Sequence, residues 1–128
     1  MAEFTTYLSN KVLDHVLRNT SYTSPTTAYM GLFTTTTDVS GGGTEVSGGS
    51  YVRQSVSVTT AANSIVTSSA NVTFPQATGN WGTITHIALF DALSSGNMLM
   101  FTPLTTSKTV ESGDVFQVSS GNFTASIG

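Results

Sequence analysis

The chain has 128 residues, of which only 11 are charged, with a formal net charge of −3 and no cysteine. About a quarter of the residues of an ordinary soluble domain are charged, so this composition is typical of a chain held in an assembly. It excludes disulfide and thiolate chemistry. It also lacks the basic surface that binds nucleic acid, so we expect no nucleic-acid partner.

The length suits a single domain with one core. No stretch approaches the roughly 18 apolar residues of a membrane span, and no basic segment precedes an apolar run at the N-terminus. We therefore expect no membrane partner and a cytosolic origin. The 23 Thr and 18 Ser residues can hydrogen-bond to backbone without the desolvation cost of a charge.

Residues 1–24 are predicted to form an N-terminal helix and a linker. Thr5 or Thr6 can cap the helix, and Asn19 with the later Pro25 ends it. The apolar stripe must pack on something, and its own β-domain and a neighbouring subunit are both open. Lys11, Asp14 and Arg18 point away from that stripe, whose members recur at helical spacing: Leu8, Val12, Leu13, Val16 and Leu17. Of these, Leu8, Val12, Leu13 and Val16 are candidate assembly contacts.

Residues 25–128 are predicted to form a β-sandwich domain. In residues 27–34, Ala28, Met30 and Leu32 alternate with Tyr29 and Phe33, which indicates a strand covered on both faces. Because no helical crossover intervenes, about seven or eight short strands favour a mainly β, antiparallel sandwich or jelly roll. Further strands are predicted at 51–58 (with Val52, Val56 and Val58 on one side), within 65–74, and at 83–90, 98–104, 115–118 and 123–127, with 109–110 as an additional short one.

Residues 34–50, called the arm below, fit no regular element. The segment TTTTDVSGGGTEVSGGS contains five glycines and no large apolar residue, so it cannot bury enough surface to fold alone. A loop of this length is usually functional or disordered. We expect it to be mobile in the free protein and, if it orders in an assembly, to be anchored by Glu45 and Val46, with Arg53 as a charge partner for a neighbouring subunit.

Catalytic signatures fail one by one. The glycines of the arm are not followed by the Lys-Ser/Thr of a phosphate loop or by a helix. A triad would require His86 and Asp91 to converge by chance, and Asp114 fits a turn better than a calcium loop. We therefore expect a protein that is not an enzyme, with no cofactor and no metal site.

The chain resembles a family of small tailed-phage virion proteins. The resemblance lies in LSNKVLDHVLRNTSYTSP, YMGLFT, GGGTEVSGGSYVRQ, VTFPQATGNWGTITHIALFDALSSGNML and LTTSKTVESGDVFQ, and it covers nearly the whole chain. Members are labelled either tail-fibre-like proteins or capsid cement (decoration) proteins. The resemblance implies a virion location, with assembly in the host cytoplasm, and no catalytic residues.

The two labels predict different surfaces. A receptor-binding module would carry aromatic side chains clustered on loops, but Trp81 between two glycines is predicted to anchor the core, and Tyr51 to cap a strand edge. The sequence therefore favours a capsid cement protein that binds the major capsid protein or another virion protein. The alternative is a tail-fibre, baseplate or other tail component. In either case we expect a homo-oligomer, most simply a trimer, because the apolar helix stripe and the charge-poor strands leave more apolar surface than a monomer should expose to water.

Overall fold

The structure, a computed structural model, describes residues 2–127. It confirms a mainly β, antiparallel fold with one helix. The elements are β1 (Glu3–Phe4), α1 (Thr6–Leu17), β2 (Ala28–Phe33), β3 (Gln54–Val56), β4 (Ile65–Thr67), β5 (Val72–Thr73), β6 (Gly82–Phe90), β7 (Met98–Val110), β8 (Gln117–Val118) and β9 (Thr124–Ser126).

The main sheet has five strands in the order β1-β7-β6-β2-β3, and the pairs β4-β9 and β5-β8 form two small sheets. The main sheet meets the β4-β9 pair at both of its edges. At one edge Ala2 bridges Ala125, and at the other Val58 bridges Ser68. The strands of the main sheet and of the β4-β9 pair therefore surround a common core, in keeping with the β-sandwich predicted from the sequence.

The main sheet buries apolar side chains on both faces, as the alternation in β2 predicts. Met30 and Leu32 on one face belong to the larger core cluster, which also takes residues from β3, β5, β8 and β9. Phe33 on the other face belongs to a second, smaller cluster. The members of that second cluster are Phe33, Ala88, Phe90, Met98 and Phe101.

The helix begins as predicted. Thr5 is the N-cap, and its side chain accepts a hydrogen bond from the backbone N–H of Leu8. The Thr5 hydroxyl also donates to the carbonyl of Met98 at 2.7 Å, which fastens the helix start to β7. Because β1 precedes α1 and pairs with β7 at Phe101 and Met100, the N-terminal segment is part of the main sheet. A two-residue strand has no periodicity, so sequence patterns could not reveal β1.

Several strand boundaries differ from the predicted ones. The strand predicted at 51–58 is ordered as β3 over three residues only, and Val52 and Val58 are exposed rather than buried beside Val56. The region 65–74 is divided between β4 and β5 by the buried Ser68, whose hydroxyl oxygen accepts backbone hydrogen bonds from Gly121 and Phe123. The strands predicted at 98–104 and 109–110 are one strand, β7.

The arm packs against its own chain in the structure. Thr34 donates to the carbonyl of Thr44, and Val46 donates to the carbonyl of Leu32, so the arm runs back along β2. Thr37 is buried, with its hydroxyl 3.3 Å from the sulfur of Met98 in the second cluster. The arm thus covers that cluster, and its apolar partners come from β2 and β7 rather than from the arm itself.

Candidate assembly surface

Three residues predicted separately as contact or edge residues form one hydrogen-bonded cluster. Arg53 donates from Nε and one terminal nitrogen to the two carboxylate oxygens of Glu45, both at 2.8 Å. The Tyr51 hydroxyl donates to the same carboxylate at 2.6 Å and accepts from the backbone N–H of Leu32 at 2.9 Å. This bidentate, charge-assisted geometry fixes the end of the arm against β2.

Arg53 also holds a second loop in place. Its remaining terminal nitrogen donates to the carbonyl oxygens of Ala92 at 2.9 Å and Ser95 at 2.8 Å. The guanidinium carbon lies 3.6 Å from the centroid of the Phe90 ring, a cation–π contact that also covers the second cluster. One side chain therefore joins the arm, the loop at 91–97 and the sheet.

Arg53 is predicted from the sequence as a charge partner for a neighbouring subunit, whereas these contacts lie within one chain. The side chain of Arg53 is only 7% exposed and its partner Glu45 lies in the same chain, so it is not free to pair with a neighbouring subunit. Val46 is buried in the larger core cluster. Sequence reasoning missed this because the arm was judged by its own composition, and the eight-residue separation of Glu45 and Arg53 did not suggest a pair.

Burial raises the pKa of the Tyr51 phenol, and its hydrogen bond to Glu45 raises it further. The phenol stays protonated and remains a donor to the carboxylate. Its ring also packs edge-on against Trp81, with centroids 5.4 Å apart. Tyr51 is therefore part of the core boundary rather than an aromatic contact on a loop.

Trp81 lies in the larger core cluster and is 5% exposed. Its indole N–H donates to the carbonyl of Gly49 at 2.9 Å, so the end of the arm is joined to the core here as well. The ring also contacts Phe74 edge-on at 6.5 Å. Neither Trp81 nor Tyr51 offers a free aromatic face for a receptor.

We expect Gly49→Ala to destabilise the fold by about 1–3 kcal/mol more than Gly48→Ala, because overpacking a filled site costs that much. Both glycines have positive φ angles, +58° and +77°. An added Cβ at Gly49 would lie 2.9 Å from the indole nitrogen of Trp81, whereas one at Gly48 would meet nothing within 4 Å. Denaturant unfolding of the two variants measures the difference, and equal losses would show that the arm does not pack on Trp81.

The helical stripe is only partly buried. Leu8 is 7% exposed and Val12 is half-buried, whereas the second half of the helix carries three side chains directed to solvent. We call these three residues the helical patch: Leu13, Val16 and Leu17, which are 55%, 68% and 75% exposed. Of the predicted assembly contacts, only Leu13 and Val16 are thus exposed for contact with another molecule.

Groups suited to chemistry are scarce in the described part of the chain. Residues 2–127 contain no cluster of three or more His, Cys, Asp or Glu side chains that could hold a metal ion. His86 has its Nδ1 2.9 Å from the hydroxyl of Thr85. Within the same residues, no helix is long and apolar enough to cross a membrane.

Together, the fold and the surface describe a small, mainly β protein. Hydrogen bonds join its arm to its core, it has few charged side chains, and the end of its helix is apolar and exposed. The chain belongs to the family described as Podophage GP4 fiber I protein gp80, whose model matches residues 3–126. It is thus a bacteriophage virion structural protein, which confirms the resemblance at that level. No curated protein gives a significant match to the chain.

Proposed function

We propose that the protein is a non-enzymatic component of a phage tail fibre. The observation that carries this proposal is the match to a fibre-protein family over residues 3–126, which is nearly the whole chain. The name of that family fits the tail-fibre alternative better than the capsid cement favoured by the sequence. The absence of a catalytic signature in the sequence agrees with a role based on contact.

The surface also supports a structural role within the fibre. The aromatic side chains that a receptor-binding loop would need, Trp81 and Tyr51, face the core. Threonines and serines cover much of the exposed surface, including Thr105, Thr106 and Ser107 in β7. Such hydroxyl groups make contacts between subunits without burying charge.

Localisation in the virion tests the proposal directly. A short epitope tag placed in the exposed turn at Gly48, where nothing lies within 4 Å of an added Cβ, should bind gold-labelled antibody at the tail. Antibody distributed over the capsid shell would overturn the fibre assignment and support the cement alternative. A tag on the major capsid protein provides the control for shell labelling.

We expect the protein to stay attached to the virion when salt is raised from about 0.1 M to about 1 M, which shortens the Debye length from about 10 Å to about 3 Å. Contacts made by apolar and hydroxyl groups are not screened. The chain has only four Lys and Arg residues, and Arg53 is already paired internally. Sedimentation of virions followed by quantification of released protein checks this. Release that rises steeply with salt would show an attachment based on charge.

A further inference from the structure

Besides the helical patch, the structure has a groove between β7 and the β8-β9 region, lined by both polar and apolar residues. Its volume is about 1020 Å³, at the upper end of the range for ligand pockets. The groove is rimmed by Thr, Lys108 and Asp114 and reaches apolar side chains of the larger core cluster. Those core side chains are Ile87, Val110, Phe116, Val118 and Phe123, each at most 9% exposed. The accessible apolar side chains of the groove are Pro103, Leu104 and Val115.

The helical patch does not fill this groove in its own chain. The helix packs against β1 and the β7 strand, and it starts beside Met98, at the opposite end of β7 from Val110. None of the three patch residues lines the groove. One chain therefore exposes an apolar projection and a partly apolar recess in different places.

The charges beside the two features are complementary. Asp14 and Arg18 flank the patch, and they pair only with each other across one helical turn at 3.4 Å. At the groove rim, Lys108 and Asp114 form no ion pair with any residue in 2–127. A helix seated in the groove can therefore place Asp14 near Lys108 and Arg18 near Asp114, with opposite charges facing each other.

A β-strand fits the groove less well than a helix. A strand continuing β1 would have to pair with β7 beyond Phe101, but Pro103 has no N–H to donate there. Between Pro103 and Lys108, β7 also bulges, because those residues pair with His86 and Ile84, which are only two positions apart. Prolines and bulges of this kind protect a sheet edge from strand addition.

We propose that the helical patch of one copy of this chain docks into the β7-β8 groove of a second copy. The contact is head-to-tail: each chain uses its patch on one neighbour and its groove on another, so repetition gives a closed ring or an extended filament. This deepens the proposed fibre role and rests on it for biological meaning, but the contact itself can be tested on the purified protein.

Two variants separate the halves of the contact. Val16→Lys with Leu17→Lys places charge on the patch, and Val115→Lys places charge beside the groove, at a lining residue that is 54% exposed. Val58→Lys, at a 46% exposed residue outside both features, is the matched control. Because all these positions are exposed, the variants should keep the circular dichroism spectrum of the parent.

Light scattering coupled to size exclusion measures the result. We expect the parent and the control to increase in mass with concentration, and each disrupted variant to associate at least about tenfold more weakly. Mixing the patch variant with the groove variant should restore one contact and give a 1:1 heterodimer, since one intact patch and one intact groove remain. A parent that stays monomeric up to about 100 µM overturns the proposal. So does a Val115→Lys protein that associates like the parent, which would indicate helix-to-helix contact.

Disulfide trapping gives a second measurement that does not depend on those variants. Because the chain has no cysteine, Leu17→Cys and Thr106→Cys each carry one thiol, on the patch and at the groove. Oxidising the mixture should give the mixed dimer in excess of either homodimer, and a statistical mixture would contradict the proposal. Gold labelling at the tail together with failure of these tests would retain the fibre role and reject only this contact.

Discussion

Trp81→Ala should lower the free energy of unfolding by about 3–5 kcal/mol, the loss typical of truncating a buried aromatic side chain. The ring is 5% exposed and contacts both Tyr51 and Phe74 edge-on. The change also leaves the carbonyl of Gly49 without the indole N–H that it accepts from. Denaturant unfolding followed by circular dichroism measures the loss.

The matched control is Leu93→Ala, which truncates an apolar side chain that is 50% exposed and should change stability by less than about 0.5 kcal/mol. Trp81→Phe should recover part of the loss because it keeps aromatic volume without the N–H donor. A Trp81→Ala protein as stable as the parent but unable to attach to host cells would identify Trp81 as a receptor contact and reject its assignment to the core.

Arg53→Met should cost about 3 kcal/mol, at the lower end of the range for breaking a buried ion pair. The lower end applies because the Glu45 side chain remains 23% exposed and can be partly hydrated after the change. The variant also loses the donors to Ala92 and Ser95. We therefore expect faster hydrogen exchange in the arm and in the loop at 91–97, with the strands of the main sheet unchanged.

A double-mutant cycle isolates the pair from these other losses. Glu45→Gln combined with Arg53→Met should cost less than the sum of the two single changes, because each single change leaves one charged group without its partner. Arg18→Ala is the control: its pair with Asp14 is solvent-exposed, and such pairs contribute about 0–1 kcal/mol. Additive losses at Glu45 and Arg53 would show that the ion pair does not hold the arm.

Of the two features of the proposed contact, the helical patch follows from local sequence information and the groove from contacts between distant segments. Helical spacing in the sequence identified Leu13 and Val16 as side chains needing a partner, and both are exposed in the structure. The groove was not predicted, because its lining comes from β7, β8 and residues 122–124, which adjoin only after folding. No local pattern in any one of these segments marks a recess.

What the sequence determined by itself is local. Thr5 followed by helical spacing set the start of α1, and strict alternation set β2, because capping and periodicity act between residues a few positions apart. The low charge and the stretches shared with phage proteins indicated the virion family now shown for residues 3–126.

Tertiary structure alone decided how the arm is held and what Arg53 does. The arm has too little apolar content to fold alone. It packs instead against the ring of Phe33 and the sulfur of Met98, which belong to the second, smaller cluster. Arg53 is a charged side chain of the kind usually found at the surface. It is nevertheless buried, because Glu45 and the carbonyl oxygen of Ala92, 39 positions away, accept hydrogen bonds from it. Burial of a charge depends on partners that only the folded chain assembles.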